Sequence, residues 1–517
     1  MGEGKRRKLA EAVAGVTGVT EAMVLDTLGG KLHIKFDHTG SATMLGQLPF
    51  FIEFLQTSGL YERWIESAPL TYSSPNAPRV EDVLGTLFLA ALSGMRRYSH
   101  INGLRADGVA PGFLGMNKIV SDDSLSRALG AMDEVRAEAW LSSQFDHVLA
   151  PLLSTPWILD IDTTIEPLYG KQEGATLGYN PHKPGRPSHA YHSYLMSALR
   201  LVLDVAVSPG NQMSAKHALP GLESVLDRIP ARDRPRLVRG DTGFGNEATL
   251  VVCESREVDT LFRLRQSSNV KKLIARLHFK DGWSPADCGY EAFDSTLKLV
   301  GWTKERRVVV LRRRIGGKDG VIAIASEAAQ QLSFLDEADN PIKLYEHVVL
   351  VTSLGREGYE LRTIAQLYRD RGDCENGFDE IKNQWGWTGF TSQEIKRSTL
   401  MARHIALIYN WWSLFVRAAH PKARREAITS RPLLLNAVGR KTEHAGQTSL
   451  IITSLHVAKD AAIAMLTSVH ALLSRIKETT SQLAKAERWR AIAMYIIEQI
   501  LACKQQNLVT RLPAASG

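Results

Sequence analysis

Two short apolar runs that end in carboxylates constrain this chain most. WILDID, residues 157–162, and RPRLVRGD, residues 234–241, have the length and make-up of buried strands, and each closes on an Asp. Between them, YLMSALRLVLDVAVSPG reads as two further strands or one long hairpin, and SAKHALPGLESVLDRIP as a helix. Strands alternating with a helix predict an α/β sheet. Asp160 and Asp162 are two residues apart, so they share one face of their strand. Asp241 stands just before a Gly-rich turn, TGFG.

The flanks read differently. From about residue 41 to 150, runs such as RVEDVLGTLFLAAL and SLSRALGAMDEVRAEAWLSSQFDHVLAPLL carry apolar residues three and four apart, a helical spacing. Ser121 and the acids after it form an N-cap signature. Near the start, KLHIKFDHTG alternates as a short strand. Strands return between about 253 and 350, where RRVVVLRRRIGGKDGVIAIAS predicts a hairpin and YEHVVLVTSL a further strand. After Arg362 the pattern predicts helix nearly to the end. The expected division is 1–150 helical, 151–252 the first part of an α/β core, 253–355 a β-rich insertion, 356–420 the second part of the core, and 421–517 a basic helical region. A chain of 517 residues exceeds one simple core and suits this division.

Charge narrows the partners. The net charge of +8 favours a polyanion. Residues 391–517 hold 18 Lys and Arg against 7 Asp and Glu, a local surplus larger than that of the whole chain. Such a region suits phosphate binding, and equally the solvated faces of helices. The four cysteines, Cys253, Cys288, Cys374 and Cys503, show neither close metal-ligand spacing nor a disulfide framework, so reduced thiols are expected. MGEGKRRKLAEAVAG lacks a signal-peptide core, and VLGTLFLAALSGM from Val83 is too short to span a bilayer. The expectation is a cytoplasmic protein with no membrane partner.

The stretch LYRDRGDCENGFDEIKNQWGW, residues 367–387, concentrates further polar groups. Thr363 and Gln366 form a capping-box signature, predicting a helix from about Ile364. At about 100° per residue, Tyr368, Arg371, Glu375 and Lys382 fall within a stripe roughly 60° wide. Asp379 lies on the edge of that stripe, so the helical wheel alone does not choose between it and Glu375. Gly372 and Gly377 predict a bend or a close backbone approach. Two strand-end acids and one helical acid could hold two divalent cations; hard oxygen donors suit magnesium or manganese. Taken singly, each strand-end acid is more often a turn former.

The spacing Tyr368, Arg371, Glu375, Lys382 resembles the Tyr-Arg-Glu-Lys motif of bacterial insertion-sequence transposases. LDIDTTIEPLYGKQEGATLGYNPHKPGRPSH and RLVRGDTGFGNE resemble that family's stretches around its first and second Asp, most closely in insertion-sequence family 1380. These are DDE recombinases. The resemblance implies a ribonuclease-H-like catalytic core with a β-rich insertion and helical N- and C-terminal flanks, with the mostly helical region 1–150 expected to bind the DNA ends. It implies Asp162, Asp241 and Glu375 as catalytic, metal-holding acids, two Mg2+ or Mn2+ ions, and contacts to terminal DNA phosphates from Tyr368, Arg371 and Lys382. It assigns Asp160 a structural part and demotes Asp379. RGDCENG departs from the family in its small residues, which bears on the rigidity of the helix. Lys183 and Arg186, in the Pro-stiffened loop YNPHKPGRPSH, are further candidates for DNA backbone contacts. Trp283 and Trp302 lie where related transposases stack an aromatic on an extruded base.

The resemblance implies cut-and-paste transposition. Inverted repeats of double-stranded DNA would be bound and paired by a homodimer, cut, and joined to target DNA, in a bacterial protein associated with the nucleoid when on DNA. The rival readings are a metal-dependent nuclease of the same fold that does not join strands, and a DNA-binding derivative without chemistry.

Overall fold

The computed structural model describes residues 23–36, 40–72, 74, 76–180, 183–315, 345–390, 392–479 and 482–509. It is a mixed α/β structure around a ten-stranded sheet. Eight of the strands form the region around the acids: β1 Ile158–Pro167, β2 Pro187–Met196, β3 Leu201–Pro209, β4 Leu237–Gly240, β5 Asp259–Arg263, β6 Glu291–Leu297, β7 Arg306–Arg314 and β8 Tyr345–Thr352. Their order across the sheet is β3-β2-β1-β4-β5-β8-β7-β6. β1 and β3 each run antiparallel to β2 between them, whereas β4 runs parallel to β1 and β5 parallel to β4.

The β-rich segment joins this same sheet. β8 pairs antiparallel with β5 through Val351 and Phe262, and β7 and β6 follow outward. The Gly-rich turn expected after Arg314 lies outside the described residues. The expected hairpin YLMSALRLVLDVAVSPG is β2 and β3.

Helices cover the sheet. Three of them frame the acids: α1 Leu361–Arg369, α2 Gly372–Gln384 and α3 Ile395–Ala419. α3 is buried on nearly all sides, because apolar residues surround its axis rather than forming one stripe. Its Asn410 amide accepts from the Val202 N–H at 2.8 Å and donates to the Val202 carbonyl at 2.7 Å, which satisfies the outer edge of β3. On its other side, Trp411, Trp412 and Phe415 meet Phe51, Phe88 and Trp64 from the N-terminal helices. Trp385 and Trp387 are also buried, so all four tryptophans of this segment are packing residues. Ser121 caps its helix by accepting from the Ser124 N–H.

Two expectations fail. The C-terminal region is not helical throughout: Gly439–His444 and Gln447–Ile452 form a hairpin that a short strand at Ala42–Thr43 extends. Ala445 and Gly446 both have positive φ, the geometry of a tight two-residue turn, which an Ala does not advertise in sequence. The first helix of the motif starts at Leu361 behind Glu360, and no side-chain cap is made. Leu361, Ile364, Ala365 and Tyr368 form one apolar stripe against the cluster under β7 and β8, and burial of that stripe sets the start. Among the described residues, no helix is long and apolar enough to cross a membrane.

A buried ion pair within the sheet also fastens it to two of these helices, beside the Arg403–Asp204 pair that ties α3 to β3. Asp160 in β1 and Arg239 in β4 meet through two hydrogen bonds of 2.7 Å, and neither is reached by water to any extent. Arg239 also donates to Ser197 Oγ at 2.9 Å and to the Leu367 carbonyl of α1; Cys374 Sγ of α2 donates to Asp160 Oδ2 at 2.7 Å. Removing one charge leaves the other stranded. Arg239→Met is therefore expected to cost about 3–5 kcal/mol in equilibrium urea unfolding, and the double change Asp160→Leu, Arg239→Met to recover more than half of it. A single variant as stable as the double would contradict this assignment.

Candidate active site

β1 and β4 deliver their acids side by side. The last paired residues in their parallel register are Ile161 and Gly240, so Asp162 and Asp241 come next on neighbouring strands. Gly240 is needed there, since a Cβ would stand 2.9 Å from Ile161 Cγ1 and 3.0 Å from the Phe244 ring. Asp241 is exposed. Its Oδ1 accepts from the Gly243 N–H at 3.1 Å, so it also shapes the turn into the helix Glu247–Glu254.

The third acid comes from beyond a break in the helix. α1 ends at Arg369 and α2 begins at Gly372. Across the break, Arg371 N–H bonds the Tyr368 carbonyl and Cys374 N–H bonds the Arg371 carbonyl, a tightened three-residue spacing. The bend expected from Gly372 is therefore present. Arg371 turns inward, with 7% of its side chain exposed, while Glu375 remains 64% exposed. The Arg371 guanidinium donates to Asp162 Oδ1 at 3.0 Å and to Glu375 Oε1 at 2.7 Å, so both carboxylates lie on one cation. Its Nε is buried without an acceptor among the described residues.

Electrostatics set the state of this group. Burial pushes the Asp162 carboxyl up to about 6; Arg371 pulls it down, and the charges of Asp241 and Glu375 push it up again. Burial works against the Arg371 charge, but Asp162, Tyr368, Asp241 and Glu375 outweigh it and raise its pKa. Tyr368 is driven up chiefly by burial, with Arg371 and Arg263 acting in the opposite direction and Asp241 and Glu375 in the same one. The site thus holds more acid than its one guanidinium neutralises.

The other expected residues lie along the same edge. Lys382 extends from α2 toward the end of β1, 3.4 Å from the Ile165 carbonyl and 3.9 Å from Glu166 Oε2. Lys183 and Arg186 both sit over the exposed Tyr169 ring, at 5.0 and 4.7 Å from its centroid, and are not in contact with the acids. Asp379 is engaged by Asn383 on the surface. Trp302 is buried under Arg306, and Arg312 covers Trp283 at 3.9 Å, so both rings are used in packing.

Two clefts flank the acids. One of about 540 Å³ lies at Asp241 and Thr163, and one of about 640 Å³ is lined by Lys382, Glu166, Arg96, Arg97 and Tyr169. The sequence motifs give no sign of Arg96, Arg97 or Glu166 here. Only the close approach of Met95 and Arg96 to Gly386 and Gly389 brings that arginine pair beside Lys382.

Among the described residues, no three Asp, Glu, His or Cys side chains form a ready metal-binding cluster. The donor chemistry nevertheless fits a hard divalent cation. All the donors are carboxylate oxygens, and Asp162 is under-neutralised by the one guanidinium that reaches it.

Residues 74–474 match the family model described as Transposase DDE domain group 1, and the chain belongs to that family. It is accordingly a DNA transposase of the DDE type, whose members carry out phosphoryl transfer and generally use divalent metal ions. The solved synaptic complex of piggyBac transposase with hairpin DNA is similar at 11% identity and a TM-score of 0.34, over 90% of this chain and 87% of that one. At those values the likeness does not extend to matching individual residues. No curated protein matches the chain.

The raised Asp162 pKa has a stability consequence. A carboxyl that titrates higher folded than unfolded favours the fold below its unfolded pKa and loses that contribution as pH rises through about 6. Asp162→Asn in metal-free protein should therefore gain on the order of 1–2 kcal/mol over wild type at pH 8, allowing for the 22% of the side chain that water reaches. The gain should vanish toward pH 4. Urea midpoints measured across that range test it, and a pH-independent difference would refute it.

Proposed function

We propose that this transposase cuts DNA at the ends of an insertion sequence and joins the freed 3′ ends to target DNA, using Asp162, Asp241 and Glu375 as its acids. The observation that supports this most is the shared guanidinium. Asp162 and Glu375 are 213 residues apart in sequence and both bond to Arg371, with Asp241 on the strand beside Asp162. The order β3-β2-β1-β4-β5, with β1 and β3 antiparallel to β2 and β4 and β5 parallel to β1, supports a ribonuclease-H-like core in which β5, Asp259–Arg263, is a core strand, so that the proposed β-rich insertion of β6–β8 begins after β5 rather than at 253.

These acids would hold the divalent cations, expected as two Mg2+ or Mn2+ ions, which when bound supply Lewis acidity and make a water or hydroxyl a competent nucleophile. The chain's own residues do the positioning. Lys382 and Tyr368 flank the acids and reach for neighbouring phosphates. Arg371 neutralises Asp162 until an acceptor draws it away. Lys183 and Arg186, braced on Tyr169, extend the cationic edge along a DNA backbone. The helical region 1–150 and the basic region 421–517 bind the inverted repeats, and two protomers pair them. The sequence motifs place the protein nearest bacterial insertion-sequence family 1380, acting in the cytoplasm on nucleoid DNA.

A cleavage and joining assay on duplexes carrying the element's terminal repeats tests the proposal. Asp162→Asn, Asp241→Asn and Glu375→Gln should each lower magnesium-dependent cleavage on the order of 10³-fold or more while leaving DNA affinity within a few fold. Cleavage without joined product in the wild type would mean a nuclease. Undiminished cleavage by Glu375→Gln would remove that residue from the site.

Lys382→Ala should weaken DNA binding about equally across sequences and reduce the slope of log K against log salt by about 1. A sequence-selective loss would show instead that Lys382 reads a base.

A further inference from the structure

Five arginines are buried among the described residues, and four of them face a carboxylate: Arg239 meets Asp160, Arg306 meets Glu247 and Glu254, Arg371 meets Asp162, and Arg403 meets Asp204. Arg417 is the exception. It is 8% exposed, and its one hydrogen bond among the described residues goes to the Leu199 carbonyl at 3.3 Å. No ion pair among those residues compensates it.

Arg417 lines a cavity of about 580 Å³ beside the start of β1 and the first turn of α2. Arg200, Lys422 and Arg424 line the same cavity. Arg424 is committed to Glu380 and the Tyr409 hydroxyl, and Arg200 to Asp373 at 2.9 Å and Glu426 at 3.8 Å. Lys422 is exposed and makes no ion pair among the described residues. Asp370 and Asp373 also contribute to the lining, so the cavity is not uniformly positive. Burial and the neighbouring Arg424 lower the Arg417 pKa to about 10, which leaves it charged at neutral pH. A desolvated cation with no direct ion pair, offset only in part by the Glu380 charge, favours an anion from outside the chain.

We propose that this cavity is a phosphate-binding site, separate from the acids of the candidate active site, in which Arg417 and Lys422 grip the oxyanion. A guanidinium fork and an ammonium suit the oxygens of a phosphate, whether free or part of a DNA backbone. The inference does not depend on the transposition reading, because binding is read without cleavage.

The test uses the full chain, with thermal unfolding and calorimetric titration in sodium phosphate against sodium chloride of equal ionic strength. Phosphate is expected to raise the unfolding midpoint saturably. Arg417→Met and Lys422→Glu should each weaken phosphate binding at least about tenfold. Lys422 is on the surface, so its variant remains informative if Arg417→Met fails to fold. Displacement of bound phosphate by a short DNA duplex would identify the natural ligand as a backbone phosphate, and simultaneous binding of both would identify it as a small oxyanion. Equal midpoints in the two salts, or wild-type phosphate affinity in Lys422→Glu, would overturn the proposal.

Discussion

The buried pair of Asp160 and Arg239 is the contact on which the arrangement of this molecule depends. It joins the two parallel strands that carry Asp162 and Asp241, and it reaches α1 through the Leu367 carbonyl and α2 through Cys374. An ion pair cut off from water holds its geometry because every alternative strands a charge. That is a different requirement from apolar packing, which tolerates small displacements. The acids at the strand ends and the acid of α2 therefore share one rigid reference point, although they come from three separate stretches of chain.

The long central helix makes a second contribution, and of another kind. α3 buries Trp411, Trp412 and Phe415 against the N-terminal helices while Asn410 satisfies the edge of β3. The N-terminal helices are thus part of the same core as the sheet. Through that core, Arg96 and Arg97 come to border a cleft with Lys382. Residues with no local relation to the motif are placed beside it by packing alone.

How far the sequence discloses this structure depends on the range of each interaction. Strands ending in Asp162 and Asp241 are legible because alternation and turn residues are local signals. The break before Gly372 is legible for the same reason. The partner of Asp160 is not legible, because Arg239 lies 79 residues away and nothing near either residue marks the other. Nor does periodicity reveal that β6–β8 extend the main sheet, since that depends on an edge pairing of Val351 with Phe262. The capping signature at Thr363 misleads because burial of Leu361 outweighs a cap that is never made. The C-terminal hairpin is missed because its turn uses Ala445 at positive φ.

The break between α1 and α2 also explains why four residues on one ideal stripe do not behave alike. On an unbroken helix Arg371 and Glu375 would project together. Across the tightened turn the two still meet at 2.7 Å, but the guanidinium lies inside the protein and the carboxylate outside, 7% against 64% exposed. Asp162 is consequently met by a cation from within its own chain, while Glu375 stays at the surface. The one guanidinium bonds two carboxylates, and Asp241 follows on the strand beside Asp162. The excess negative charge, concentrated where β1 and β4 end, favours an added cation by ordinary Coulomb attraction. Burial, reinforced by the charges of Asp241 and Glu375, keeps the Asp162 carboxyl titrating well above an exposed aspartate. An acidic site built this way is under-neutralised because one guanidinium serves both Asp162 and Glu375.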